Sequence, residues 1–159
     1  MKYLFDSNVV AAAIKGRLPV VLKLAAVKPG DVAVSVVSRV EAEASLRAQP
    51  RAHVRFGKLL RDFFGQVRVI DFGNTEAQAA TNLAALLQSS AEKLSGFDLI
   101  VAATAQAHQL TLVTDRPQAF ASVPNLDVEN WLHDSSVGRP VAAEDLAGAA
   151  RPTKKGITK

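Results

Sequence analysis

Short apolar runs alternate along the chain with longer stretches whose apolar positions recur every three or four residues. Tyr3-Leu4-Phe5 is unbroken and apolar, as a strand covered on both faces should be. A short helix over residues 9–14 follows and Gly16 ends it. Pro19 suits the first position of a second helix, over residues 19–27, and Pro29-Gly30 closes it. Residues 32–37 are the clearest strand in the chain. Ser38 and Glu41 stand at capping-box spacing, opening a helix to about residue 49, where Pro50 breaks it. Residues 51–64 predict a further helix with Val54, Leu59, Leu60 and Phe63 on its buried side. A strand over 67–70 comes next. Thr75 with Gln78, and Ser95 with Asp98, mark the starts of helices reaching about residue 89 and spanning 97–108. Strands over 111–114 and 126–131 complete the pattern.

Strands separated by helices pair in parallel through right-handed crossovers, so the expected architecture is α/β: a three-layer α/β/α sandwich around a central parallel sheet. The patterned part ends near residue 133. Residues 134–159 carry five basic and three acidic side chains and almost no large apolar ones. The expected division is a folded domain over 1–133 and a flexible basic tail over 134–159.

The 159 residues make one domain with a real core, 48% of them hydrophobic and 21% charged, which excludes wholesale disorder. The absence of Cys excludes a disulfide framework, a thiolate metal site and a cysteine nucleophile. No apolar run is long enough to span a membrane, and Asp6 comes too early for a signal peptide, so the expected compartment is the cytoplasm. The net charge of +4 is a modest hint of a polyanionic partner. Its distribution says more. Arg39, Arg47, Arg51, Arg55, Lys58 and Arg61 crowd one stretch, although such a run is ordinarily a solvated helix face.

In an open parallel sheet, ligands bind beyond the carboxyl ends of the strands. Asp6 directly follows the first strand and Asp115 follows the strand over 111–114, while Glu41 and Asp98 fall in the first turns of helices starting at that same edge. Each alone could be a cap or a turn residue. Together they are four carboxylates gathered at one rim, where mutual repulsion demands a counter-charge. A hard divalent cation held by oxygen ligands supplies one, and Mg²⁺ or Mn²⁺ suits a chain with no Cys and few His. An acidic pocket on a basic protein is the arrangement of a metal-dependent nuclease. His53, His108 and His133 lie on or after different helices with no acidic partner at catalytic spacing, and read as structural or solvated. Trp131 reads as packing.

Leu4-Phe5-Asp6-Ser7-Asn8, Ser35-Val36-Val37-Ser38-Arg39-Val40-Glu41, Phe97-Asp98-Leu99-Ile100-Val101-Ala102-Ala103 and Thr111-Leu112-Val113-Thr114-Asp115 resemble, in order, the successive motifs of PIN-domain ribonucleases. The closing Val128-Glu129-Asn130-Trp131-Leu132 resembles the VapC-type toxins of bacterial toxin–antitoxin pairs. The resemblance covers about residues 1–132. It implies an endoribonuclease dependent on Mg²⁺ or Mn²⁺, with Asp6, Glu41, Asp98 and Asp115 as catalytic residues and Asp6, Asp98 and Asp115 as metal ligands. At the fourth position the family often carries Asn or shifts by a residue. Glu43 is turned about 200° from Glu41 on a helix, so only one of them can face the metal, and Glu41 matches the motif. Ser7, Asn8 and Thr114 would orient the acids, or act simply as cap and turn residues. The resemblance also implies a structured RNA substrate such as tRNA or rRNA, a cognate antitoxin partner and a homodimer. The alternatives are a PIN nuclease of RNA processing outside such a pair, and a non-catalytic PIN-fold binding module. A receiver domain would want an acidic pair after the first strand and a Lys after a late one, and the chain has neither.

Overall fold

In the computed structural model, residues 1–88 and 94–133 are described; the expected tail over 134–159 lies outside them, as does the expected end of the long helix at residue 89. Five strands, β1 (Tyr3–Phe5), β2 (Val32–Ser35), β3 (Arg68–Ile70), β4 (Thr111–Val113) and β5 (Val128–Glu129), form one sheet in the order β3-β2-β1-β4-β5. All four pairings are parallel. The helices are α1 (Ser7–Ile14), α2 (Leu18–Ala26), α3 (Val36–Arg47), α4 (Pro50–Gln66), α5 (Asn74–Leu87) and α6 (Gly96–Ala107).

β1 is the central strand, with Leu4 against both Ala33 of β2 and Leu112 of β4. Because successive side chains of a strand point to opposite faces, Leu4 and Phe5 belong to different cores. Phe5 packs with Val9, Val20, Val34, Leu60, Phe64 and Trp131, beneath α1 to α4. Leu4 packs with Ala33, Leu83, Val101, Leu112 and Phe120, beneath α5 and α6. Leu4, Phe5, Val34, Leu112 and Val113 are wholly buried, which accounts for the unbroken apolar runs. This is the expected three-layer sandwich.

Several boundaries differ from expectation. The helix after β2 starts a turn earlier. Ser35, not Ser38, is its cap, accepting the Ser38 amide on Oγ at 2.9 Å, and Ser38 itself is buried. The sheet register, in which Ser35 is the last residue to pair, ends β2 there and leaves Ser35 to cap the helix. Glu41 therefore belongs to the second turn of α3 and has no capping task. Pro50 opens α4 rather than merely ending α3. The buried stripe of α4 is Gly57, Leu60 and Phe64, while Val54 is 87% exposed and Leu59 also faces outward. α5 is capped at Gly73, whose amide donates to Glu76 Oε2 at 2.9 Å, and not at Thr75. Ser95 caps α6 as expected, accepting the Asp98 amide at 3.1 Å.

Candidate active site

Asp6 follows β1 directly, so the sheet itself delivers its carboxylate to the rim. It is only 2% exposed and fully engaged. Its Oδ1 accepts the Ser7 amide at 2.7 Å, capping α1, and its Oδ2 accepts the Thr114 hydroxyl at 2.9 Å. Capping and site duty thus fall on opposite oxygens of one side chain. Thr114, just past β4 and wholly buried, also accepts the Arg116 amide at 3.2 Å. Asp115 is next along and accepts from Asn8 Nδ2 at 3.1 Å, tying the start of α1 to the end of β4. Asp98 sits in the first turn of α6, where the helix dipole favours a carboxylate.

Glu41 comes in from α3. Its pKa is raised, first by burial and then by the negative charges of Asp6 and Asp98; a hydrogen bond from the Ser7 side chain and the charge of Arg116 oppose that. Those causes place Glu41 within electrostatic reach of both aspartates. Glu43 points elsewhere, paired with Arg39 at 2.8 Å and Arg47 at 3.6 Å on α3. The four nominated acids thus converge, and Glu43 does not join them. Beside them Ser7, Asn8 and Glu41 open onto a narrow groove of about 60 Å³ between α1, α3 and α4, continued by Ser45 and Gln49.

The residue the sequence reading overlooked is Arg116. Its Nη2 lies 2.9 Å from Asp98 Oδ1 and 3.6 Å from Asp6 Oδ2, and its Nε lies 4.0 Å from Asp115 Oδ1. The hydrogen bond to Asp98 raises the pKa of the guanidinium, against the opposing effect of burial. A basic residue directly after a rim carboxylate was the available signal, and the turn-like Asp115-Arg116-Pro117 masked it. His108 also corrects the sequence reading, since it does have an acidic partner: its Nε2 is 2.6 Å from Glu76 Oε1. It stands ten residues along from Asp98, about 15 Å on a helix, and joins α5 to α6 rather than serving the rim.

The donor set is all oxygen and anionic, which fits a hard cation such as Mg²⁺ or Mn²⁺. As the side chains stand, no three acidic or histidine groups among the described residues are disposed to hold one ion. The Arg116 guanidinium supplies positive charge among these carboxylates.

Fold and rim together define a doubly wound α/β protein with an acidic site at the carboxyl edge of its sheet, where strand order reverses between β1 and β4. The family model for the PIN domain matches residues 3–125, and the chain belongs to that family. Among its relatives is "Ribonuclease VapC2" of Haemophilus influenzae, 26% identical over 134 residues that cover 83% of this chain and 99% of the relative. Among solved structures, VapBC2 from Rickettsia felis bound to a DNA fragment from its promoter superposes with a TM-score of 0.75 at 26% identity, covering 82% of this chain and 99% of that one. FitAcB from Neisseria gonorrhoeae shares the fold, with a TM-score of 0.72 at 21% identity over 82% of this chain and 99% of that one.

Proposed function

We propose that this chain is a divalent-cation-dependent endoribonuclease, the toxin of a toxin–antitoxin pair, acting in the cytoplasm on structured RNA such as tRNA or rRNA and so blocking translation. The observation that carries the reading is the meeting of Asp6, Glu41, Asp98 and Asp115 at one rim of a PIN fold. The ribonuclease name of the Haemophilus influenzae relative and the VapBC complex of Rickettsia felis support the activity and the antitoxin partner. A homodimer is part of the same proposal.

Asp6, Asp98 and Asp115 would hold Mg²⁺ or Mn²⁺, which when bound acidifies water and offsets charge at the scissile phosphate. The protein's own residues do the rest. The Ser7 amide and the Thr114 hydroxyl fix both oxygens of Asp6, so that this acid meets its ligand without reorganising. Glu41, half-buried on α3 within electrostatic reach of Asp6 and Asp98, would orient the attacking water. Water attack needs no 2′-hydroxyl and leaves a 5′-phosphate and a 3′-hydroxyl.

Total cellular RNA incubated with purified protein and Mg²⁺, Mn²⁺ or EDTA, beside an Asp98→Asn variant, tests this. Discrete fragments with 5′-phosphate ends are expected with metal and from wild type alone. Intact RNA with the folded, metal-supplied wild type would replace the reading with that of a binding module. Cleavage surviving both EDTA and Asp98→Asn would refute the carboxylate mechanism.

A further inference from the structure

Arg116 has more to do than neutralise one neighbour. Its guanidinium engages both oxygens of Asp98, with Nη2 at 2.9 Å from Oδ1 and Nη1 at 3.5 Å from Oδ2, and it also faces Asp6 and Asp115. One side chain thus lies within 4.0 Å of all three acids proposed as cation ligands. Guanidinium and metal ion compete for the same carboxylates and repel each other, so binding of one disfavours the other. The Arg116 side chain is nevertheless 47% exposed, so solvent is open to it on one side. Its backbone is pinned, since its amide donates to the buried Thr114 hydroxyl oxygen. The residue therefore has a fixed pivot at the rim and a long arm that solvent reaches on one side.

Resting on the nuclease reading above, we propose that Arg116 is a two-position side chain: counter-ion of the carboxylates while they lack a cation, and ligand of the substrate's phosphate once a cation has displaced it. The first position lowers the apparent affinity for cation, because only the fraction of molecules with Arg116 withdrawn can take one up. The second follows from the tether. A guanidinium expelled from Asp98 stays at the mouth of the site, where the phosphodiester must enter, and its planar fork matches phosphate oxygens as well as it matched the carboxylate. Cation and phosphate then favour each other's binding, since each stabilises the withdrawn arm.

The test needs no turnover. Mn²⁺ is titrated calorimetrically into metal-stripped full-length wild type, Arg116→Gln and Arg68→Gln, the last removing the same charge from the far end of β3. Mn²⁺ should bind Arg116→Gln about tenfold more tightly than wild type, with Arg68→Gln unchanged. Inorganic phosphate is then titrated into the Mg²⁺-supplied proteins, and Arg116→Gln should bind it about tenfold more weakly. Arg116→Lys, which keeps the charge without the fork, should also lose phosphate affinity. Equal Mn²⁺ affinity in wild type and Arg116→Gln overturns the counter-ion position and leaves the nuclease reading intact. Equal phosphate affinity overturns the phosphate position. Failure of all three proteins to bind Mn²⁺ overturns this proposal and the metal-dependent nuclease together.

Discussion

The Thr114 hydroxyl, wholly buried, donates to Asp6 Oδ2 across 108 residues of sequence at 2.9 Å. It joins the ends of two adjacent strands, β1 and β4, at the point where the strand order reverses. Without it, the more buried of the rim acids loses the donor on the oxygen that faces Arg116. Thr114→Val keeps the shape and removes the hydroxyl, so it should cost about 1–3 kcal/mol of stability and most of the cleavage activity. Thr114→Ser should retain both. Urea denaturation read beside RNA cleavage checks the pair of variants.

Glu41 should make the metal-free protein less stable at neutral pH. Its folded pKa lies above its ordinary value, chiefly through burial and then through Asp6 and Asp98. The native state therefore disfavours the ionised form. The penalty is full above the folded pKa and fades as pH falls through it toward the ordinary glutamate range. Glu41→Gln should raise the melting temperature in EDTA at pH 7 by on the order of 2 °C, while abolishing cleavage. The gain should vanish in acid, where both proteins carry a neutral side chain. Melting curves from pH 4 to pH 8 in EDTA decide it, and a flat difference across that range counts against the assignment.

Glu76 behaves in the opposite sense. Its own backbone amide, that of Gly73 and His108 all hydrogen-bond its carboxylate and lower its pKa. A depressed carboxyl contributes stability that is present above its unfolded pKa and lost as pH falls through its folded one. Glu76→Gln should destabilise the domain at pH 7 by about 1–3 kcal/mol, and the gap from wild type should close as the solution is acidified. Chemical denaturation at pH 7 and at acid pH measures both halves of the expectation.

Trp131 is 1% exposed and stands edge-on to Tyr3 at 5.0 Å and Phe5 at 5.1 Å between ring centroids. It covers the strand that carries Asp6. Trp131→Ala should cost about 3–5 kcal/mol, enough to lower the melting point well below that of wild type. A chain ended after His133 should keep the wild-type melting point, because the proposed domain boundary leaves this contact inside. A large loss on that truncation would move the boundary.

A groove of about 180 Å³ between α3 and α4 is lined by Arg39, Arg47, Arg61, His53 and Glu43, so its charge is mostly positive. If RNA flanking the cut site runs along it, Arg47→Ala and Arg61→Ala should each reduce the salt dependence of RNA binding by about one counterion. Their stabilities should change by less than about 0.5 kcal/mol, as for other exposed positions. Binding isotherms at several salt concentrations provide the slope.

The fold was legible because β1, β2 and β4 are buried on both faces and must be written as unbroken apolar runs. The acids were legible because Asp6 and Asp98 adjoin a strand end and a serine cap. Val36 and Val37 misled, since β-branched residues after a strand look like more strand, and only the pairing register ends β2 at Ser35. Val54 misled because helical spacing names a stripe without saying which stripe meets α3. Arg116 was illegible for a different reason. Its partners Asp98 and Asp6 are remote in sequence, so nothing local distinguishes an ion pair from a turn residue.

The position of β1 at the middle of the sheet has a consequence for the chain's own synthesis. Asp6 is made well before Thr114 and Arg116, which meet its carboxylate from beyond β4, and β1 lacks one neighbour until β4 has emerged. A pairing this far apart in sequence forms late. A partly made chain thus carries these acids dispersed. The acidic rim comes into being only when nearly the whole domain is free to close, so an interrupted translation product lacks it by construction.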